Sequence, residues 1–132
     1  MQYSSELTRE RLISLARDEY FANVDAGNID AAVACFHPEA LFTVQTSFAT
    51  ITGTSAIREM IERLVTSNEK VVHRDFVFTV DEANGRIAAS FTVELTGKDG
   101  TNTVMQNTNF WRVRGDKFQE VYVYMSGSNV LG

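Results

Sequence analysis

The segment VVHRDFVFTVDEANGRIAASFTVELTGKDGTNTVMQNTNFWRVRGDKFQEVYVYM, residues 71–125, decides the fold. Apolar and polar residues alternate along it at a period of two, and short polar runs break the alternation three times. DEANG separates VVHRDFVFTV from RIAASFTVELT, with Asn84-Gly85 supplying the positive backbone torsions of a tight turn. GKDG and RGD make the second and third breaks, on either side of TNTVMQNTNFWRV, and KFQEVYVYM closes the segment. This pattern predicts four antiparallel strands in a meander, joined by loops of a few residues. A sheet of such strands cannot leave its apolar face in water, so the preceding residues must cover it.

Those residues read as mostly helical. Ser4 or Ser5 is placed to cap a helix that runs to about Ala26, with Glu6 favourably set against the helix dipole and Gly27 as the stop. Leu12, Ile13, Ala16, Tyr20 and Val24 form its apolar stripe. A second helix, IDAAVACF, is expected to stop at His37-Pro38, because a residue before proline is pushed out of the helical region. ALFTVQTSFATITG reads as one strand and its extension, after which Thr52 or Thr54 caps a third helix. Ile57, Met60, Ile61 and Leu64 are its buried stripe, and Glu59 with Arg63 and Arg58 with Glu62 are four-apart pairs on its wet side. Helix, helix, strand, helix and four strands is an α+β order, with three helices on one face of a bent, mostly antiparallel sheet.

Composition narrows the partners. A chain of 132 residues suits one domain, residues 1–132, and no apolar run approaches the ~18 residues of a membrane span. The net charge of −5, with acids and bases interspersed, argues against nucleic acid or an anionic membrane as partner. A small, mostly apolar ligand fits better. The N-terminus lacks the basic flank and apolar core of a secretion signal, so a cytoplasmic location is expected. The single cysteine, Cys35, lies in an apolar context that predicts a buried, inert thiol. His37 and His73 with Asp30 or Glu39 lack metal-ligand spacing, and no glycine-rich nucleotide loop or serine or thiol nucleophile motif occurs. Neither metal nor cofactor is expected.

Three local patterns carry a family resemblance over almost the whole chain. EYFANVDAGNIDAAVACFHPEALFTV looks like the first two helices and entering strand of nuclear transport factor 2, ketosteroid isomerase and the SnoaL-like polyketide cyclases. TGTSAIREMIERL is similar to their glycine-led third helix, and NTNFWRVRGDKFQEVYVYM to their closing hairpin. The resemblance implies a cone-shaped, cystatin-like fold around a pocket. It also implies a superfamily of isomerases, cyclases, dehydratases, epoxide hydrolases and non-catalytic proteins, so that fold does not choose the function.

In the isomerase branch the resemblance implies a first-helix tyrosine, a neutral acid on the third meander strand and a carboxylate base on the first strand. Matched through the AGN turn and the TNTVM strand, these fall on Tyr20, Asn109 and Val44. Asn109 retains a hydrogen-bonding amide, but valine accepts no proton, which contradicts that isomerase mechanism. The branch of scytalone and bile-acid dehydratases is implied to use a tyrosine, an aspartate at the helix end and a histidine near the start of the first meander strand. Tyr20, Asp25 and His73 match these catalytic positions. An imidazole held in one tautomer by a carboxylate can remove a proton next to a carbonyl, and a phenol can polarise that carbonyl. Asp25 nevertheless lies about 140° around an ideal helix from Tyr20. The same residues also read as plain structure: a core tyrosine, a helix-end carboxylate and a strand histidine paired with a neighbour.

Alternation assigns the remaining candidates. If Asn109 faces the interior, so do Asn107 and Trp111, and Val121, Val123 and Met125 join them from the next strand. With Phe42 and Val44 from the first strand, Asn107, Asn109, Trp111, Val123 and Met125 are the candidate ligand-binding residues, and Phe36 and Phe91 line the pocket or simply fill the core. Phe110, Arg112, Tyr122 and Tyr124 then face outward, an aromatic surface that calls for a homodimer through the convex sheet face. Two functions fit: acid–base catalysis on a small hydrophobic carbonyl or cyclic metabolite, or a non-catalytic ligand-binding or dimerisation module.

Overall fold

The computed structural model of the chain describes residues 6–132. The expected cap at Ser4 or Ser5 lies outside them. Within them Thr8 caps the first helix, its hydroxyl accepting from the Arg11 N–H at 3.3 Å. Helix α1 spans residues 9–26 in three parts: α-helical Arg9–Ser14, π-helical Leu15–Phe21 and α-helical Ala22–Ala26. The wider π turn, in which the Ala22 N–H reaches Arg17 O, changes the phase of the apolar stripe. Phe21 is therefore buried with Leu12, Ala16, Tyr20 and Val24; Leu15, three residues after Leu12, is buried beside it, whereas Ile13 is only half-buried. Gly27 ends the helix in the left-handed region, φ 76°, where a side chain would be strained.

Helix α2 is only Ile29–Val33, shorter than expected. Strand β1, Phe36–Val44, begins before the proline and includes it. Pairing with the last strand explains this, since Phe36 lies opposite Phe118 and Leu41 opposite Glu120. The intervening residues, Pro38 among them, bulge out of the ladder, where a residue without an N–H is tolerated. The expected single strand extension is a hairpin instead: a 3₁₀ turn, Gln45–Ser47, leads through Phe48 into β2, Ala49–Thr52. Helix α3, Thr54–Ser67, starts from Gly53 rather than a threonine cap, because the chain leaves β2 at φ 89°. Its four buried residues are the expected Ile57, Met60, Ile61 and Leu64. On its wet side Arg58 reaches Asp30 of α2 at 2.6 Å, not Glu62.

The meander is present as β3 (Asn68–Asp81), β4 (Arg86–Gly97), β5 (Asn102–Arg114) and β6 (Lys117–Tyr124). In the β3–β4 turn only Gly85 takes a positive φ, 61°, and Asn84 instead hydrogen-bonds Asp81. The sheet order is β2-β1-β6-β5-β4-β3, antiparallel except where β1 runs parallel to β6. The fold is thus α+β, three helices with a six-stranded, mostly antiparallel sheet. Ile87, Ala89, Phe91, Val93 and Leu95 of β4 and Met105, Asn107, Asn109, Trp111 and Val113 of β5 are its buried inner rows. β3 switches parity: Val71 and His73 pair with inner residues Leu95 and Val93, but Phe78 and Val80 pair with Ala89 and Ile87. A bulge between Arg74 and Val77, with Asp75 at φ 59°, supplies the extra residue. Among the described residues no helix is long and apolar enough to cross a membrane.

Candidate functional site

β3 is an edge strand, so the outward N–H groups along it have no ladder partner. Asp25, in the last turn of α1, meets that edge at His73. Its Oδ2 accepts the His73 backbone N–H at 2.8 Å and its Oδ1 lies 2.6 Å from Nδ1. An ionised carboxylate only accepts, so in the neutral ring Nδ1 carries the proton and Nε2 the lone pair. The ring is 8% exposed, stacked on Phe21 (centroids 4.2 Å, 25°) with Phe91 at 5.6 Å. Backbone and packing together therefore fix its orientation as well as its tautomer.

His73 borders a small cavity of about 30 Å³. Its other polar neighbours are Tyr20, Asn107 and Asn109. Tyr20 stands edge-on to Phe36 (5.3 Å, 82°) and Phe118 (5.8 Å, 87°). Burial, with smaller contributions from Cys35 and Asp25, pushes its ionisation upward, so the phenol stays neutral and can donate. Asn109 is buried and its Oδ1 has no partner among the described residues. Asn107 is partly committed, its Oδ1 accepting the Ser126 N–H at 3.3 Å.

Phe42, Val123 and Met125 line this cavity as the alternation implies. Three candidates do not. Asp25 stands behind His73, so its angular separation from Tyr20 is no obstacle to pairing with the imidazole. Val44 borders a neighbouring void of about 80 Å³. Trp111 is buried on the inner face but lies against Phe118 (5.8 Å, 27°) and Phe21 (5.7 Å, 76°), away from the cavity. The lining also includes Phe21, Leu64, Val130 and Leu131, which the sequence reading did not select as site residues. Leu64 was legible only as core, Phe21 is brought inward by the π turn, and Val130 and Leu131 follow the last strand without periodicity.

Cys35 is buried and its thiol is pushed up to about 12, chiefly by burial and then by Glu19, against a smaller opposing effect of Lys117. That makes it a poor nucleophile. His37 lies in β1, its Nδ1 accepting the Glu39 N–H at 3.2 Å. Among the described residues no three His, Cys, Asp or Glu side chains converge as metal ligands. On the outer face Phe110 (46% exposed) and Tyr124 (43%) meet edge to face at 5.9 Å. Beside them Tyr122 donates to Glu120, which also pairs with Arg112 at 2.7 Å.

Three helices packed with a six-stranded, mostly antiparallel sheet in the order β2-β1-β6-β5-β4-β3 define an α+β class of fold. The SnoaL-like domain family matches residues 18–121, and the chain belongs to it. Similar solved structures include a candidate polyketide cyclase from Xanthomonas campestris pv. campestris (21% identity, TM-score 0.77, covering 88% of this chain and 90% of that one). The epoxide hydrolase/cyclase-like enzyme SalBIII, of pyran ring formation in the polyether salinomycin, superposes with a TM-score of 0.78 at 19% identity, over 89% and 92% of the two chains. A candidate ketosteroid isomerase from Kribbella flavida gives 0.69 at 16% identity, over 90% and 80%. At these identities the likeness is one of fold. No curated protein matches the chain at the sequence level.

Proposed function

We propose that the chain is an acid–base enzyme that needs no organic cofactor and acts on a small hydrophobic carbonyl or cyclic metabolite. Nε2 of His73 takes the proton next to the carbonyl, Asp25 fixes the tautomer, and Tyr20 and Asn109 hydrogen-bond the oxygen on which charge develops. The observation that supports this reading is the double engagement of His73 by Asp25, with His73 and Tyr20 bordering the same cavity.

The test is exchange of the α-protons of 2-tetralone, a bicyclic ketone, in D₂O, followed by proton NMR. The protein should accelerate exchange above the buffer rate, and His73→Gln, which keeps hydrogen bonding but cannot shuttle a proton near neutral pH, should abolish the acceleration while binding stays within about tenfold. No acceleration, or equal acceleration by the variant, would favour the second reading, a ligand-binding or dimerisation module. Valine at position 44, where the isomerase branch is implied to carry its base, is what supports that alternative. With either reading we propose a homodimer through the outer sheet face, supported by the exposed Phe110 and Tyr124.

A further inference from the structure

The cavity beside Tyr20 and His73, of about 30 Å³, has room for two or three water molecules at ~10–15 Å³ each, too little for the ligand proposed above. A second void, of about 80 Å³, lies alongside it between Val44, Ile51 and Met60. Phe42 and Leu131 border both, so together they form the partition between the two. Leu131 and its neighbour Val130 are partly buried against the core although they belong to no helix or strand. Every other lining residue of the first cavity apart from Met125 sits on α1, α3 or a strand, where movement would break a helix or a sheet ladder.

The segment that carries them, residues 126–132, is held to the body by the packing of Val130 and Leu131 and, among the described residues, by three hydrogen bonds. The Ser126 hydroxyl accepts the Gln106 N–H at 2.9 Å, the Ser126 N–H donates to Asn107, and Asn129 Nδ2 donates to Ser47 Oγ at 3.0 Å. Within the segment the Leu131 N–H returns to Asn129 Oδ1 at 2.9 Å. Two of these clamps rest on side chains of the segment and one on a cavity residue, Asn107. Opening it would free the Asn107 oxygen on the same face as the unpartnered Asn109.

We propose that residues 126–132 form a strap whose Val130 and Leu131 occupy the apolar half of the ligand chamber, and that a ligand enters by displacing them. Displacement joins the two voids into one slot that runs from Tyr20 and His73 past Phe42 to Met60 and Ile51. Its occupant is a compact apolar ring system with its polar group at the His73 end, where Asn107 and Asn109 both become available. This rests on the pocket being the ligand site, but not on His73 being a base.

Binding of 2-tetralone, read by broadening of its proton NMR signals and thus blind to proton transfer, tests it in two variants. Deleting residues 130–132 removes the competing side chains and should tighten binding about tenfold or more, the gain expected when the competent state no longer has to be drawn from a minor population. Ser47→Cys with Asn129→Cys, oxidised and checked by mass, should close the strap and reduce binding by a similar factor, restored on reduction. Equal binding in the oxidised and reduced forms, or no gain in a folded deletion variant, would overturn the strap. If binding follows the strap while α-proton exchange is absent, the strap stands and the catalytic reading falls.

Discussion

One carboxylate at the end of α1, that of Asp25, holds both the backbone N–H and the ring Nδ1 of His73, at 2.8 and 2.6 Å. The contact ties the first helix to the sheet edge and orients the imidazole, so it has a structural role besides the proposed chemical one. Asp25→Asn separates the two roles. The amide fits the same space, yet its NH₂ must face a donor, either the strand N–H or Nδ1–H, and the ring relaxes toward the other tautomer. The expected outcome is a loss of 2-tetralone exchange by about 10²–10⁴, measured by NMR. Urea unfolding should show a cost of about 1.5–3 kcal/mol for a lost charge-assisted hydrogen bond. Exchange at the wild-type rate would remove Asp25 from the mechanism.

Asn109 tests the opposite balance. Its Oδ1 is buried without a partner among the described residues, a liability in a protein that gains nothing from it and an asset in one that binds a polar ligand there. Asn109→Leu should raise unfolding free energy by about 1–3 kcal/mol, the usual cost of an unsatisfied buried group. It should also weaken binding of 2-tetralone at least tenfold. A variant that is less stable than wild type would mean that the amide is satisfied and has no such role.

The outer face carries the assembly prediction. Phe110 and Tyr124 lie on adjacent strands and together offer the apolar centre of a symmetric interface. Sedimentation at micromolar concentration should find a dimer, and Phe110→Lys with Tyr124→Lys should yield a folded monomer. A wild-type monomer, or a double variant that remains dimeric, would exclude this face.

The meander was legible because β4 and β5 alternate strictly where it matters: Asn107, Asn109 and Trp111 point inward and Phe110 outward as the period of two requires. The pairing of Asp25 with His73 was visible only as a coincidence of family positions. A helical wheel counts ideal turns, and nothing in LARDEYF announces the π turn that brings Phe21 against His73. Pro38 misled in the same way. Local sequence marks it as a helix stop, but its place in a bulge of β1 is set by β6, some eighty residues on. Trp111 shows the limit of alternation, which gives the face of a sheet but not the position along it relative to a cavity.

Cys35 supplies a prediction from pH alone. In the unfolded chain its thiol titrates near its ordinary value of 9.0, whereas in the folded protein burial holds it up to about 12. The fold thus prefers the neutral thiol, so the contribution is intact below pH 9 and is lost as pH rises from 9 toward 12. Between pH 7 and 10 the loss should be about 1.4 kcal/mol, since each pKa unit corresponds to ~1.36 kcal/mol and only the first unit above 9 is crossed. Tyr20, also raised, begins to contribute only above its unfolded value near 10, which keeps this window largely clear of it. Cys35→Ala leaves a small void and should be less stable at pH 7 by a constant amount, yet its stability should decline less steeply toward pH 10. Urea melts of both proteins at pH 7, 8.5 and 10 read the difference in slope directly. Parallel declines would mean that the thiol reaches solvent in the folded state and is not the inert group its burial implies.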